Sequence, residues 1–240
     1  MGLFDFLSGK PRKHEVSEFD IINRWSLENG TYRDNSRSRD EIAWRVGTGW
    51  FELWFQGLER MVSQSLGRRL AHAALEHEEY MIDLGTSPPP SGRDPGLWHQ
   101  TSLLWETSGL GIFGLLEDGR ESKILVENHS SGPICSGLIA ASWEAATGKR
   151  HRFLWNVGKG DGLVVTLTQD DANFPLPGAK DRNWNQSSNE TTEQSTEDEE
   201  IWLDLRIDSP GKWSIMGERM MFVHLDLFQR FEEYCLPYVD

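Results

Sequence analysis

Cysteine is nearly absent from this chain. Cys135 and Cys235 are its only two, too few for a disulfide framework and without the paired spacing of a zinc site. Both therefore read as small apolar core residues in a reducing compartment. No apolar run approaches the length of a membrane span, and the first residues lack the long apolar stretch of a secretory signal. The expected location is cytoplasmic. Positive charge is scarce too: 24 Lys and Arg stand against 38 Asp and Glu, for a formal net charge of -14. Binding along a nucleic-acid backbone needs clustered Lys and Arg, so nucleic acid is excluded as a partner. What the chain holds in quantity is apolar mass. Of its 240 residues 38% are hydrophobic and eleven are Trp, enough to fill the core of one large domain or two small ones.

The most legible stretch runs from Ser122 to Thr168. Ile124 to Val126 form an apolar run that suits a buried strand, and Asn128 to Pro133 supply turn formers that end it. Pro133 fits the first position of a helix, where its missing N–H would have gone unpaired anyway. Leu138, Ala141 and Ala145 then recur at helical spacing, with Ile134, Cys135, Ile139 and Ser142 beside them, and Gly148 marks the stop. Phe153 and Trp155 alternate with Arg152 and Leu154, as a strand with one sheltered face would. Gly160, Asp161 and Gly162 make a hairpin turn into a β-branched strand from Leu163 to Leu167. Ile112 to Leu116, turned by Glu117 to Arg120, gives a second hairpin. Hairpins join antiparallel neighbours. The expected fold class is α+β, an antiparallel sheet with helices packed mainly on one face.

Around that unit the pattern is less regular. Leu3, Phe4, Phe6 and Leu7 followed by Lys10, Arg12 and Lys13 read as a short cap, with peripheral membrane contact through Met1 to Lys13 as the sharper alternative. Phe6 stands where a myristoylation motif wants Ser or Thr, so lipidation is not expected at Gly2. Glu18 to Val46 reads as short strands or turns. Within it Arg33, Arg37, Arg39 and Arg45 interleave with Asp34, Asp40 and Glu41, the signature of a solvated loop. Trp50, Leu53, Trp54, Gly57, Leu58, Met61 and Val62 follow a helical repeat, which Gly67 breaks or bends before Leu70, Ala74 and Leu75 continue it. His72 and His77 lack the spacing of a zinc-binding helix and read as solvent-facing. Thr86 to Pro95 is a loop, and Leu97 to Leu110 looks helical. Residues 170–200 hold nine acidic residues against Lys180 and Arg182, so this segment carries -7 of the -14. With its Asn, Ser, Thr, Gln and Glu it reads as a flexible acidic insertion. An alternating strand follows, with Ile201, Leu203, Leu205 and Ile207 on one side, and then a final helix with Met221, Leu225, Phe228 and Phe231 at helical spacing. The domain reading is an N-terminal extension with short strands over residues 1–46 and a single α+β domain over residues 47–240.

No catalytic constellation emerges. His99, His129, His151 and His224 are scattered, Ser136 and Ser142 lack a nucleophile-elbow glycine pattern, and the glycines at 158, 160 and 162 lead into a strand rather than a phosphate-binding helix. Glu127, His129 and Cys135 around one turn are the nearest approach to a metal set. A structural role outweighs metal binding for these three, so no metal is assigned, and the cofactor is left unknown.

The order of elements resembles the four-vinyl-reductase domain and, equally, the related small subunits of the TRAPP vesicle-tethering complex. The resemblance covers Gly47 to Thr168. It is carried by the Trp50 to Gly67 helix, a further helix to Tyr80, the hairpin, the Leu125 to Asn128 segment, the Cys135 helix with Gly137, and the Gly160-Asp161-Gly162 turn. It implies an antiparallel sheet with helices on one side, a buried apolar pocket between them, and dimerisation through helices. Cys135 falls where some members place the first cysteine of a metal site, but the later cysteine pair is missing between Val157 and Leu163. No cysteine stands between the long helices, where a lipid-carrying subunit would place one.

The functional expectation is a non-enzymatic domain that binds an apolar small molecule or serves as a scaffold, dimeric through the Trp50 to Val62 helix. Its pocket would lie between the Cys135 helix and the sheet, lined by Trp105, Phe113, Leu125, Cys135, Leu138, Trp143 and Phe153. The alternatives are a subunit of a tethering or other assembly acting through its surface, and a reductase-associated component.

Overall fold

The structure is a computed structural model and describes residues 15–28, 30–37, 41–158, 162–172, 175–180 and 202–238. The fold is α+β, as expected, but the described residues form two antiparallel sheets rather than one. The legible stretch builds the smaller. Strands β4 (Ile112–Glu117), β5 (Glu121–Glu127), β6 (His151–Val157) and β7 (Leu163–Gln169) are ordered β4-β5-β7-β6. The turn expected at Gly160 to Gly162 falls partly outside the described residues. Its flanks pair antiparallel from Val157↔Leu163 outward, and the Gly158 N–H donates to the Gly162 carbonyl.

The larger sheet is made from segments that the sequence pattern left apart. Strands β1 (Trp25–Glu28), β2 (Thr31–Asp34) and β3 (Ile42–Gly47) precede the long helices, whereas β8 (Leu205–Ser209), β9 (Lys212–Ile215) and β10 (Glu218–His224) come near the end. The order is β1-β2-β3-β10-β9-β8, closed by β10 pairing with β3 from Met220↔Gly47 to His224↔Ala43. Met221 therefore lies in a strand, not in the final helix where its spacing had placed it. That helix begins only at Leu225. The Ile201 to Ile207 strand also changes. Only Leu205 of that set is buried; Leu203 precedes the strand and is exposed, as is Ile207, while Ile201 lies outside the described residues.

Six α-helices complete the described chain. Helix α1 (Glu18–Arg24), read from the sequence as strand or turn, exists because Ser17 and Asp20 form a reciprocal cap: Asp20 N–H donates to Ser17 Oγ, and Asp20 Oδ2 accepts the Ser17 N–H at 2.8 Å. Helices α2 (Thr48–Val62) and α3 (Gly67–Asp83) are separated by Ser63 in the left-handed region, so Gly67 opens a new helix rather than bending a long one. Helix α4 (His99–Thr107) follows the Pro-rich loop. Helix α5 (Gly132–Thr147) has Pro133 in its first turn and Gly148 at φ 65° as its stop, as expected. Helix α6 (Leu225–Cys235) ends the set.

Helices α3 and α5 cross with almost no space between them. A Cβ on Gly137 would stand 2.0 Å from the Ala71 carbonyl oxygen and 2.8 Å from the Ala74 Cβ, so only glycine permits this approach. Against the crossed pair, Ile124 and Val126 of β5 and Leu163, Val165 and Leu167 of β7 complete the main core. The large sheet divides two cores by the alternation of its strands. Trp44, Val46, Met221 and Val223 face the main core, while Ala43 and Phe222 face a second, built with Ile21, Trp25, Tyr32 and Trp213. Trp25 and Phe222 stack there with ring centroids 3.9 Å apart.

Candidate functional site

The residues expected to line an apolar pocket occupy the core. Trp105, Phe113, Cys135, Leu138 and Trp143 are buried in the main cluster, with Phe153 packed against it. Trp105 and Phe113 meet edge to face at 5.0 Å, and the Cys135 thiol donates to the Leu110 carbonyl at 3.3 Å. Burial pushes the Cys135 thiol above its ordinary value, which keeps it an unreactive thiol. Leu125 departs from the expectation. It is buried, but it stands between Ile124 and Val126 on the strand and belongs to neither core cluster.

Trp105 and Leu138 do border a cavity, whose wall mixes apolar and polar side chains. Its volume is about 30 Å³, and Arg24, Arg37, His77, Glu78, His224, Thr101 and Ser108 contribute to its wall. Pockets for small organic ligands run to roughly 300–1,000 Å³; this one has room for one water-sized body.

Behind the cavity lies a buried ionic network. Asp34, at the end of β2, is fully buried and takes a bidentate pair of hydrogen bonds from Arg24, Nε to Oδ1 at 3.0 Å and Nη2 to Oδ2 at 2.7 Å. The same carboxylate accepts from Arg37 Nε at 3.3 Å and Ser36 N–H at 3.0 Å, and it contacts His224 Nε2 at 3.0 Å. Arg24 reaches on to the Leu104 carbonyl and to Thr107 Oγ1 of α4. The His224 ring stacks on His77 of α3 with centroids 5.1 Å apart, and His77 Nδ1 meets Asp226 Oδ2 at 2.8 Å. Asp226 in turn accepts from Arg230 Nε at 2.7 Å. One chain of charge-assisted contacts thus ties α1, β2, α3, α4, β10 and α6 together. The segment before Gly47 is joined to the helices through it.

The electrostatics follow from burial and partners. Burial of Asp34 opposes ionisation, yet Arg24 and the hydrogen bonds from His224 and Arg24 hold its carboxyl far below the usual range. Asp226 is held low in the same way by His77 and Arg230. Burial and the Arg37 charge push His224 down to about 3, so it is a neutral ring at neutral pH. These residues correct two expectations. His77 is 1% exposed rather than solvent-facing, although His72 is exposed, and the Arg37, Asp34 and Glu41 stretch is internal rather than a solvated loop. A charge run gives no signal of burial when its partners, Arg24 and His224, lie far away in sequence. Among the described residues, no group of three or more His, Cys, Asp or Glu is placed to hold a metal ion.

The surface carries its own feature on α2. Phe51 and Phe55 point into the main core with Leu58 and Val62 beside them. Trp50, Leu53, Trp54 and Met61 are 59%, 67%, 38% and 81% exposed. At ~100° per residue these four and Gly57 form a second apolar stripe beside the first, with Glu52, Gln56, Glu59 and Arg60 opposite. A β-carbon at Gly57 would meet nothing within 4 Å. The Trp54 ring is held from below by Phe51 at 5.5 Å and Phe228 at 6.1 Å.

Compared with known proteins, the chain matches no family model and no curated protein. Among the described residues, no helix is long and apolar enough to cross a membrane.

Proposed function

We propose that this protein is a non-enzymatic scaffold subunit that pairs with a second copy of itself through the outward stripe of α2. The observation that carries the reading is the exposure of Trp50, Leu53, Trp54 and Met61 on one rigid helix. A contiguous exposed apolar patch of this kind marks an interaction surface.

The stripe is self-complementary about a two-fold axis, as an isologous interface requires. Laid antiparallel on its copy, Trp50 meets Met61, a favourable sulfur–aromatic pairing, and Trp54 seats over the open ground at Gly57. Leu53 meets the Leu58 edge. The two Trp side chains together expose about one aromatic residue's worth of area, and Leu53 and Met61 a similar amount, on the order of 400 Å² per copy. At about 800 Å² in total that lies below the range of stable interfaces, so the association is weak and reversible. The element order that resembles the tethering-complex subunits supports the same reading, and the scarcity of cysteine supports a cytoplasmic setting. The apolar-ligand expectation draws no support from the geometry, because six of the seven residues named for it pack in or against the main core and the cavity beside Trp105 and Leu138 is only about 30 Å³.

The test is Leu53→Asp. The residue is two-thirds exposed, so the monomer fold is retained, and at dilution where the wild type is monomeric the two melting temperatures coincide. Light scattering should show the wild type as a concentration-dependent dimer and the variant as a monomer. An identical mass for both proteins at every concentration would remove the proposal.

A further inference from the structure

We propose that Met61 makes the α2 contact sensitive to oxidation: conversion of its thioether to a sulfoxide by hydrogen peroxide parts the two copies, and reduction lets them pair again. The inference rests on the pairing proposed above and names what regulates it. The placement of sulfur in the molecule carries it. Six methionines and two cysteines hold all the sulfur. Met81 and Met221 are fully buried and Met220 is partly so, whereas Met61 near the end of α2 and Met216 in the β9–β10 turn are 81% and 83% exposed. The cysteines do not compete for an oxidant. Cys135 is buried and Cys235 half-buried, and burial raises both thiols above their ordinary value, which keeps the reactive thiolate scarce. A thioether needs no deprotonation. Among the described residues, Met61 and Met216 are therefore the sulfur groups that a peroxide reaches first.

Of these two, Met61 belongs to the stripe. In the antiparallel pairing it meets Trp50 across the two-fold axis, and symmetry repeats that meeting at the other end of the contact. Oxidation is a two-electron oxygen transfer: the sulfur lone pair takes one oxygen atom as the peroxide O–O bond breaks, and water leaves. The thioether becomes a polar sulfoxide on ground that was apolar. Its S=O group must shed water to enter the contact, a cost that an interface of this small size does not carry. A dithiol acting through a methionine sulfoxide reductase takes the oxygen away as water, supplies the two electrons and returns the thioether. The change is thus reversible, as a switch requires.

A hydrogen peroxide titration, followed by peptide mass spectrometry and light scattering, tests the switch. At a concentration where the untreated protein is dimeric, pairing should weaken by at least about tenfold as Met61 is converted. The same loss should occur in Met216→Leu, and methionine sulfoxide reductase with a dithiol should reverse it. Met61→Gln sets a polar oxygen at the same place without any oxidant, and it too should weaken pairing; it decides the matter if peroxide disturbs the fold. Undiminished pairing at full Met61 conversion, a loss that follows Met216 instead, or a Met61→Gln protein that pairs as tightly as wild type would overturn the switch and leave the α2 contact standing. A wild type that is monomeric at every concentration before peroxide is added would remove the contact itself, and the switch with it.

Discussion

Asp34 is the residue on which most of the buried polar chemistry converges. Two arginines, a serine and a histidine all make their contact to one carboxylate that has no exposure to solvent. Removing one partner from such a set leaves the remaining charges buried and uncompensated, which costs roughly 3–5 kcal/mol. Asp34→Asn should therefore destabilise the protein by about that amount in urea titration, far more than the half kilocalorie or so of an ordinary surface change. None of this was legible in the sequence. Asp34 sits among Arg33, Arg37 and Asp40, so local charge balance suggested a solvated turn, whereas its principal partners are Arg24, ten residues back, and His224, far along the chain. Long-range pairing of single polar residues leaves no periodic trace. Cys135, by contrast, reads as a core residue from the apolar helical pattern around it, and it is buried there.

At the scale of elements, local signals succeeded where they were complete. Pro133 and Gly148 bracket α5, and the β4–β5 and β6–β7 hairpins carry their own turns, so sequence and structure agree there. Helix α1 escaped notice because its cap uses Asp20 where the usual pattern has Glu or Gln, and because only Ile21 and Arg24 are buried along it, too few to show a period. Met221 was misassigned for the opposite reason. Its spacing to Leu225 and Phe228 suits a helix, but pairing with β3 decides its conformation. The sharpest constraint between elements is the α3–α5 crossing at Gly137. Any side chain there must separate two packed helices, so Gly137→Val should cost about 3 kcal/mol or more and lower the urea midpoint accordingly. A substitution without measurable loss would mean that the helices do not approach as closely as described.

The whole molecule should show a stability that falls on both sides of a maximum in pH. His224 is held at about 3 in the native state against an ordinary 6.5. The unfolded chain thus takes up a proton that the folded one refuses, so this contribution is intact above 6.5 and declines as the pH drops toward 3. Asp34 and Asp226, both held low, add losses of the same sign once the pH falls below about 3.8. Glu144 works in the other direction: burial pushes it up to about 7 from 4.5, so its contribution is intact below 4.5 and is lost as the pH rises toward 7. Between 4.5 and 6.5 the two slopes oppose each other. Urea midpoints from pH 3 to 8 should therefore peak within that interval and collapse on the acid side, and a midpoint that rises steadily toward pH 3 would contradict the buried network.

The two-sheet architecture was the least legible feature at this scale. Its larger sheet joins residues 25–47 to residues 205–224, and no local pattern announces a pairing across so much chain. What that architecture leaves outside is the aromatic stripe of α2, and the account stands on its being a contact between copies. Sedimentation velocity on the wild-type protein over a dilution series, at low and at high salt, tests it most directly. With a net charge of -14 on each copy, salt screens repulsion, so the account predicts a concentration-dependent monomer–dimer equilibrium that shifts toward dimer as salt is raised. A single monomeric boundary at every concentration and salt would contradict it.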